Sequence, residues 1–128
     1  MERGSNKLFL DAYNANPTSM TASVTNFQKI ATKKPKIAIL GDMLELGSTA
    51  VEEHQAIVDL AEQSNFAETY LVGENFKKTK TSSPTIIKFS NTENLKEHLS
   101  QTYIKDSYIL VKGSRGIALE KVVESFSE

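Results

Sequence analysis

The chain has 128 residues, with 15 lysines and arginines against 16 aspartates and glutamates, 39% hydrophobic residues and no cysteine. At that length and apolar content it reads as one ordinary globular domain. Such a domain buries roughly 65–70% of the surface its unfolded chain exposes and needs no disulfide or metal to form a core. The lack of cysteine excludes thiol catalysis and Cys-based zinc sites, the balanced charge excludes nucleic-acid and membrane-surface partners, and no apolar run nears the roughly 20 residues that span a bilayer.

In chain order, short apolar runs alternate with segments of helical period. The polar start Met1-Glu-Arg-Gly-Ser-Asn lacks the apolar stretch of a signal peptide, so the expected compartment is the cytoplasm. The first run is Leu8-Phe9-Leu10, followed by Met20, Val24, Phe27 and Ala31 on one helical face. The second, Ile37 to Leu40, precedes a helical segment with Val51, Ile57, Val58 and Ala61 largely on one face. The third is Thr69 to Val72, and Lys77 to Pro84 after it reads as a solvated loop. Thr85 to Phe89 and Tyr108 to Val111 complete the set, and Ile117, Val122, Val123 and Phe126 line a last helix. Continuous rather than alternating runs are those of strands covered on both faces, so the repeat predicts an α/β fold with a mostly parallel, doubly wound sheet.

Open parallel sheets bind ligands where their strands end, because helix N-termini and freed amides gather there. Three of the five strand-end segments are richer in polar and Gly residues than a turn needs. In Asp11-Ala-Tyr-Asn-Ala-Asn-Pro-Thr-Ser-Met20, Asn16 fits a helix cap with Pro17 at the first helical position. Asp11, Tyr13 and Asn14 are left over, and a carboxylate, a phenol and an amide on one loop suit a nucleotide, with Asp11 on ribose hydroxyls and Tyr13 on the base.

Gly41-Asp-Met-Leu-Glu-Leu-Gly47 is not a phosphate-binding loop: five residues separate its glycines, no Lys follows, and Asp42 and Glu45 repel phosphate. Asp42 there either pairs with a substrate ammonium or satisfies amides in the turn. In Lys112-Gly-Ser-Arg-Gly116, two cations flank the start of the last helix, where each opposes the macrodipole by roughly 0.3–1 kcal/mol. That arrangement points to an anionic ligand, with Gly113 and Gly116 permitting close approach and Arg115 able to grip a carboxylate or phosphate through two hydrogen bonds. Of the two histidines, His54 reads as a packing residue near Asp42, and His98 as solvent-facing.

Together the three loops, with His54 downstream of the second, resemble in order and spacing the C-terminal domain of the Mur ligases, over essentially the whole chain. The resemblance implies a Rossmann-like three-layer sandwich with a sheet of five to six strands. It implies ATP-dependent amide formation in peptidoglycan precursor synthesis, joining D-alanyl-D-alanine to UDP-N-acetylmuramoyl-tripeptide. ATP and magnesium are then held mainly by a central domain, and the UDP-sugar by an N-terminal domain, so that residues 1–128 form the third domain of a monomeric ligase. On these terms Asp11, Tyr13 and Asn14 serve ATP, Asn16 serves either ATP or the helix cap alone, and Asp42, Lys112, Ser114 and Arg115 wall the dipeptide. No catalytic residue and no metal ligand is assigned to this chain.

Two other classes fit parts of the sequence. A signalling receiver domain needs an acid after its first strand, Ser or Thr after the fourth and Lys after the fifth, which Asp11, Ser90 and Lys112 supply; the phosphoacceptor Asp after the third is missing, with only Glu74 nearby. A single carboxylate after the first strand also weakens magnesium binding. The third class is a non-catalytic interaction module that keeps the fold.

Overall fold

The computed structural model describes residues 1–11, 15–114 and 117–126. All five apolar runs are strands: β2 (Asn6–Asp11), β3 (Lys36–Gly41), β4 (Glu68–Val72), β5 (Ile86–Phe89) and β6 (Tyr108–Lys112). A two-residue strand, β1 (Glu2–Arg3), turns back on β2 through Gly4 at φ 59°. It is too short to carry a hydrophobic pattern. The order across the sheet is β1-β2-β6-β3-β4-β5, with β1 antiparallel and the rest parallel.

Because successive side chains of a strand point to opposite faces, each continuous run feeds two cores. Ala38, Leu40, Leu71 and Leu110 meet helices α1 (Pro17–Lys29), α2 (Ala50–Ser64) and α3 (Glu74–Lys77). Ile37, Ile39, Tyr70, Val72, Ile109 and Val111 meet α4 (Thr92–Ser100) and a C-terminal 3-10 helix (Leu119–Phe126). The result is the expected three-layer sandwich of helices, sheet and helices. No helix among the described residues is long and apolar enough to cross a membrane.

Several details depart from the sequence reading. Helix α1 stops at Lys29 and Ile30 turns extended, which leaves Ala31 outside the helix and exposed. Val51 is 53% exposed because it lies in the first turn of α2, entered from a 3-10 turn at Gly47–Thr49, rather than on its buried face. The last segment winds as a 3-10 helix and buries Leu119 besides Val122, Val123 and Phe126, while Ile117 is only half-buried. Within the supposed solvated loop, Lys77 closes α3, and Thr79 is buried, its hydroxyl donating to the Phe76 carbonyl and its own carbonyl accepting from Lys88 Nζ. His98 is half-buried, with its ring 5.3 Å from those of both Tyr70 and Phe89.

Candidate functional site

The strand order decides what can meet. β2, β6 and β3 are neighbours, paired so that Asp11 lies opposite Lys112, and Lys112 opposite Leu40. The segments leaving the first, fifth and second apolar runs therefore share one rim, as the nucleotide and dipeptide readings require. Asp11, Asp42, Lys112 and Ser114 are all there. Tyr13, Asn14, Arg115 and Gly116 lie outside the described residues.

Lys112 donates through Nζ to Asp11 Oδ2 at 2.8 Å, with its side chain 1% exposed and that of Asp11 52% exposed. Ser23 Oγ, from α1, donates to the same oxygen at 2.9 Å. The Lys112 hydrogen bond, more than opposing burial, holds the Asp11 carboxyl below its usual pKa of 3.8. Asp11 is thus a fixed, ionised acceptor with one oxygen engaged. Beside it runs an open groove of about 480 Å³ walled by Phe9, Leu10, Phe27 and Ile30, with Ser23 and Asn26 on its polar edge. That volume is within the range of small-ligand sites.

Asn16 caps α1. Its Oδ1 accepts from Ser19 N at 2.8 Å, its own N–H donates to Ser19 Oγ at 3.1 Å, and Pro17 opens the helix. This reciprocal box satisfies two otherwise orphaned amides.

Asp42 is 3% exposed and its carboxylate faces inward, accepting from Asn75 N at 2.9 Å and Phe76 N at 3.0 Å at the start of α3. Of the two readings of Asp42, amide satisfaction is the one its geometry displays, although the amides belong to the β4–α3 turn rather than its own. Gly73 makes room: it sits at φ 127°, and a Cβ there would fall 2.2 Å from Asp42 Cγ. The backbone of Asp42 is engaged too, with N–H donating to Val72 O at 2.9 Å and C=O accepting from Ser114 N at 3.3 Å.

His54 is fully buried on α2. Its Nε2 accepts from Met43 N at 3.0 Å, so the ring proton sits on Nδ1, 2.6 Å from the Ala50 carbonyl. The 3.8 Å approach of Nε2 to Asp42 Oδ1 then sets two acceptors side by side and is not a hydrogen bond. The ring edge packs on Phe76 at 4.7 Å.

Gly113 lies against Gly41, where a Cβ would meet Gly41 Cα at 3.1 Å and Leu119 Cδ1 at 2.8 Å. Its smallness lets the chain leaving β6 lie against the end of β3. Ser114 Oγ is buried with no hydrogen-bond partner among the described residues, a cost that native structures seldom leave unexplained. No group of three or more His, Asp or Glu able to hold a metal occurs among the described residues.

The sequence reading missed Ser23, the α3 amides and the Met43 amide. Ser23 carries a faint signal, lying one residue before the buried Val24 of α1; the others are main-chain groups, which side-chain identity does not reveal. The receiver arrangement fails on topology. Its parallel strands should run 2-1-3-4-5, whereas here the five parallel strands run 1-5-2-3-4 in chain order, and Ser90 sits at the far edge, accepting from Lys77 Nζ at 2.9 Å.

Residues 1–115 match the family described as Mur ligase, glutamate ligase domain. The UDP-N-acetylmuramoyl-tripeptide--D-alanyl-D-alanine ligase of Rickettsia prowazekii is 32% identical over 123 residues, which cover 94% of this chain and 27% of that protein. The protein of the same name from Treponema pallidum is 37% identical over 119 residues, covering 88% and 26%. A crystal structure of MurF ligase from Thermotoga maritima in complex with ADP superposes with a TM-score of 0.80 at 26% identity, over 98% of this chain and 29% of that one. The chain thus spans about a quarter of the length of these relatives.

Proposed function

The chain belongs to the Mur ligase family by its glutamate ligase domain, and from that premise we propose that it is the third domain of a ligase adding D-alanyl-D-alanine to UDP-N-acetylmuramoyl-tripeptide at the expense of ATP. The observation that carries this reading is the shared rim, where the ends of the neighbouring strands β2, β6 and β3 bring Asp11, Lys112, Asp42 and Ser114 together. The names of the relatives support the reaction and its substrates, and the quarter of their length that this chain spans fits one domain of a larger ligase; we extend the proposal to cytoplasmic peptidoglycan precursor synthesis by a monomer.

A carboxylate is a poor electrophile. Transfer of the ATP γ-phosphoryl group to the tripeptide carboxylate makes an acyl phosphate; the dipeptide amine attacks its carbonyl carbon, the amide forms, the amine loses its proton and phosphate leaves. Catalysis of this kind rests on alignment and charge neutralisation, and we assign the phosphates and magnesium to the central domain. Here Asp11, fixed through Oδ2, offers Oδ1 to the ribose hydroxyls beside the aromatic groove, and to Tyr13 and Asn14 we assign the base and ribose on the family resemblance. To Arg115 and Ser114 we assign the dipeptide carboxylate, while Lys112 serves by locking Asp11. The carboxylate of Asp42 is committed to α3, so its contribution is to hold the wall. Closing this half-site over the central domain excludes water from the acyl phosphate.

Calorimetry and a coupled phosphate assay test the reading. The isolated chain should bind ATP with a Kd of about 1 mM at best and hydrolyse none, whereas the full-length protein should release ADP and phosphate only when both tripeptide and D-alanyl-D-alanine are present. Micromolar ATP affinity in the isolated chain, or turnover indifferent to the dipeptide, defeats it.

A further inference from the structure

We propose that His54, buried behind the wall that Asp42 forms, is a positioning residue for the dipeptide side of the site. The inference rests on the proposed function. An imidazole at a fully buried point of α2 is a costly way to fill space that a phenylalanine could occupy, unless its nitrogens are used. Both are used, and both on the main chain: Nδ1–H donates to Ala50 O, and Nε2 accepts from Met43 N at 3.0 Å. Met43 is fully buried, and its amide leaves β3 just where the chain departs from the sheet. Here the imidazole supplies the acceptor that a strand partner would supply farther down the sheet.

What that acceptor holds is the residue before it. Asp42 is tied to four places at once: to Val72 through its N–H, to Asn75 and Phe76 through its carboxylate, and to Ser114 through its carbonyl. Phe76 closes the circuit, since its amide binds Asp42 while its ring meets the His54 ring edge-on at 4.7 Å. The link from Asp42 to Ser114, at 3.3 Å, is the longest of the set and the one that reaches the dipeptide segment. Freeing Met43 would let the Asp42 carbonyl swing and move Ser114 with it. The Asp11 carboxylate is held by Ser23 of α1 and by Lys112, away from the Met43 amide, so the nucleotide side should feel the change less.

The test uses the full-length ligase with His54→Phe, which keeps the ring packing and removes the acceptor, and His54→Gln, whose amide oxygen can accept from Met43. KM for D-alanyl-D-alanine, KM for ATP and hydrogen exchange of peptides spanning residues 41–47 and 112–118 are measured for each. His54→Phe should raise the dipeptide KM about tenfold, leave the ATP KM within about twofold and speed exchange in both peptides, and His54→Gln should restore most of the dipeptide KM. Equal shifts in both KM values, an unchanged dipeptide KM, or a Gln variant no better than Phe overturns the proposal. Should His54→Phe not fold, His54→Leu, which also lacks the acceptor, takes its place: a dipeptide KM well above that of His54→Gln supports the acceptor role, and one equal to it refutes the role. Wild-type enzyme that ignores D-alanyl-D-alanine removes the proposed function and this inference together, whereas a normal wild type with the wrong variant pattern removes only this inference.

Discussion

Replacing Asp11 by Asn tests the pair at the centre of the rim. The substitution keeps the shape, removes the charge, and strips a carboxylate partner from Lys112, whose side chain is 1% exposed. Taking one partner from a buried ion pair costs about 3–5 kcal/mol, and a hydrogen bond to a charged group about 1.5–3 kcal/mol. Since the Asp11 side chain is 52% exposed, water screens much of the loss, and the expected destabilisation is about 2 kcal/mol. With an unfolding entropy of about 2.1 cal/mol/K per residue over 128 residues, that lowers Tm by about 7 °C. The pH dependence has a definite sign. The folded pKa of Asp11 lies below 3.8, so its contribution is complete at neutral pH and fades as pH falls through 3.8 toward the folded value. Urea unfolding of both chains, followed by circular dichroism, should show a gap that is constant from neutral pH to about pH 5 and narrows below that. A gap under about 0.5 kcal/mol at neutral pH, the level of an ordinary surface substitution, would refute the reasoning, as would one that widens on acidification.

Gly73→Ala should cost about 3 kcal/mol in chemical denaturation, because φ 127° and a Cβ 2.2 Å from Asp42 Cγ oppose it together. Asn16→Ala should cost about 1 kcal/mol through loss of the capping box, and in the full-length enzyme the ATP KM should stay within about twofold if the cap is its whole task. In an alkaline absorbance titration, one of the four tyrosines should ionise last, since burial pushes the Tyr70 hydroxyl up to about 12. Because that folded pKa exceeds the ordinary 10.0, stability should fall between these values as pH rises, and Tyr70→Phe should flatten the fall.

The strands were legible because a parallel sheet covered on both faces admits only apolar side chains, as Ile37 to Leu40 show by sending alternate residues into two separate cores. Asn16 and Pro17 marked the start of α1 by local capping chemistry. Where the reading strayed, tertiary context had outweighed local pattern: Val51 fits the apolar period of α2 but precedes its packed face, and His98 looks polar in sequence yet slots between two aromatic rings. The rim was legible in part. Charge logic found Asp11 and Lys112 separately, but not that each is the other's partner across adjacent strands 101 residues apart. Asp42 was open to two readings because its partners are amides of another turn, which no side chain announces.

The placement of β6 between β2 and β3 has a bearing on biosynthesis. The strand at the middle of the sheet is the last to emerge during translation, so Asn6–Asp11 and Lys36–Gly41 wait with a vacant slot between them until residues 108–112 arrive. Such long-range closure slows folding and leaves unpaired edges exposed in the nascent chain. Truncation just before Tyr108 should therefore yield an aggregation-prone product rather than a smaller version of the domain.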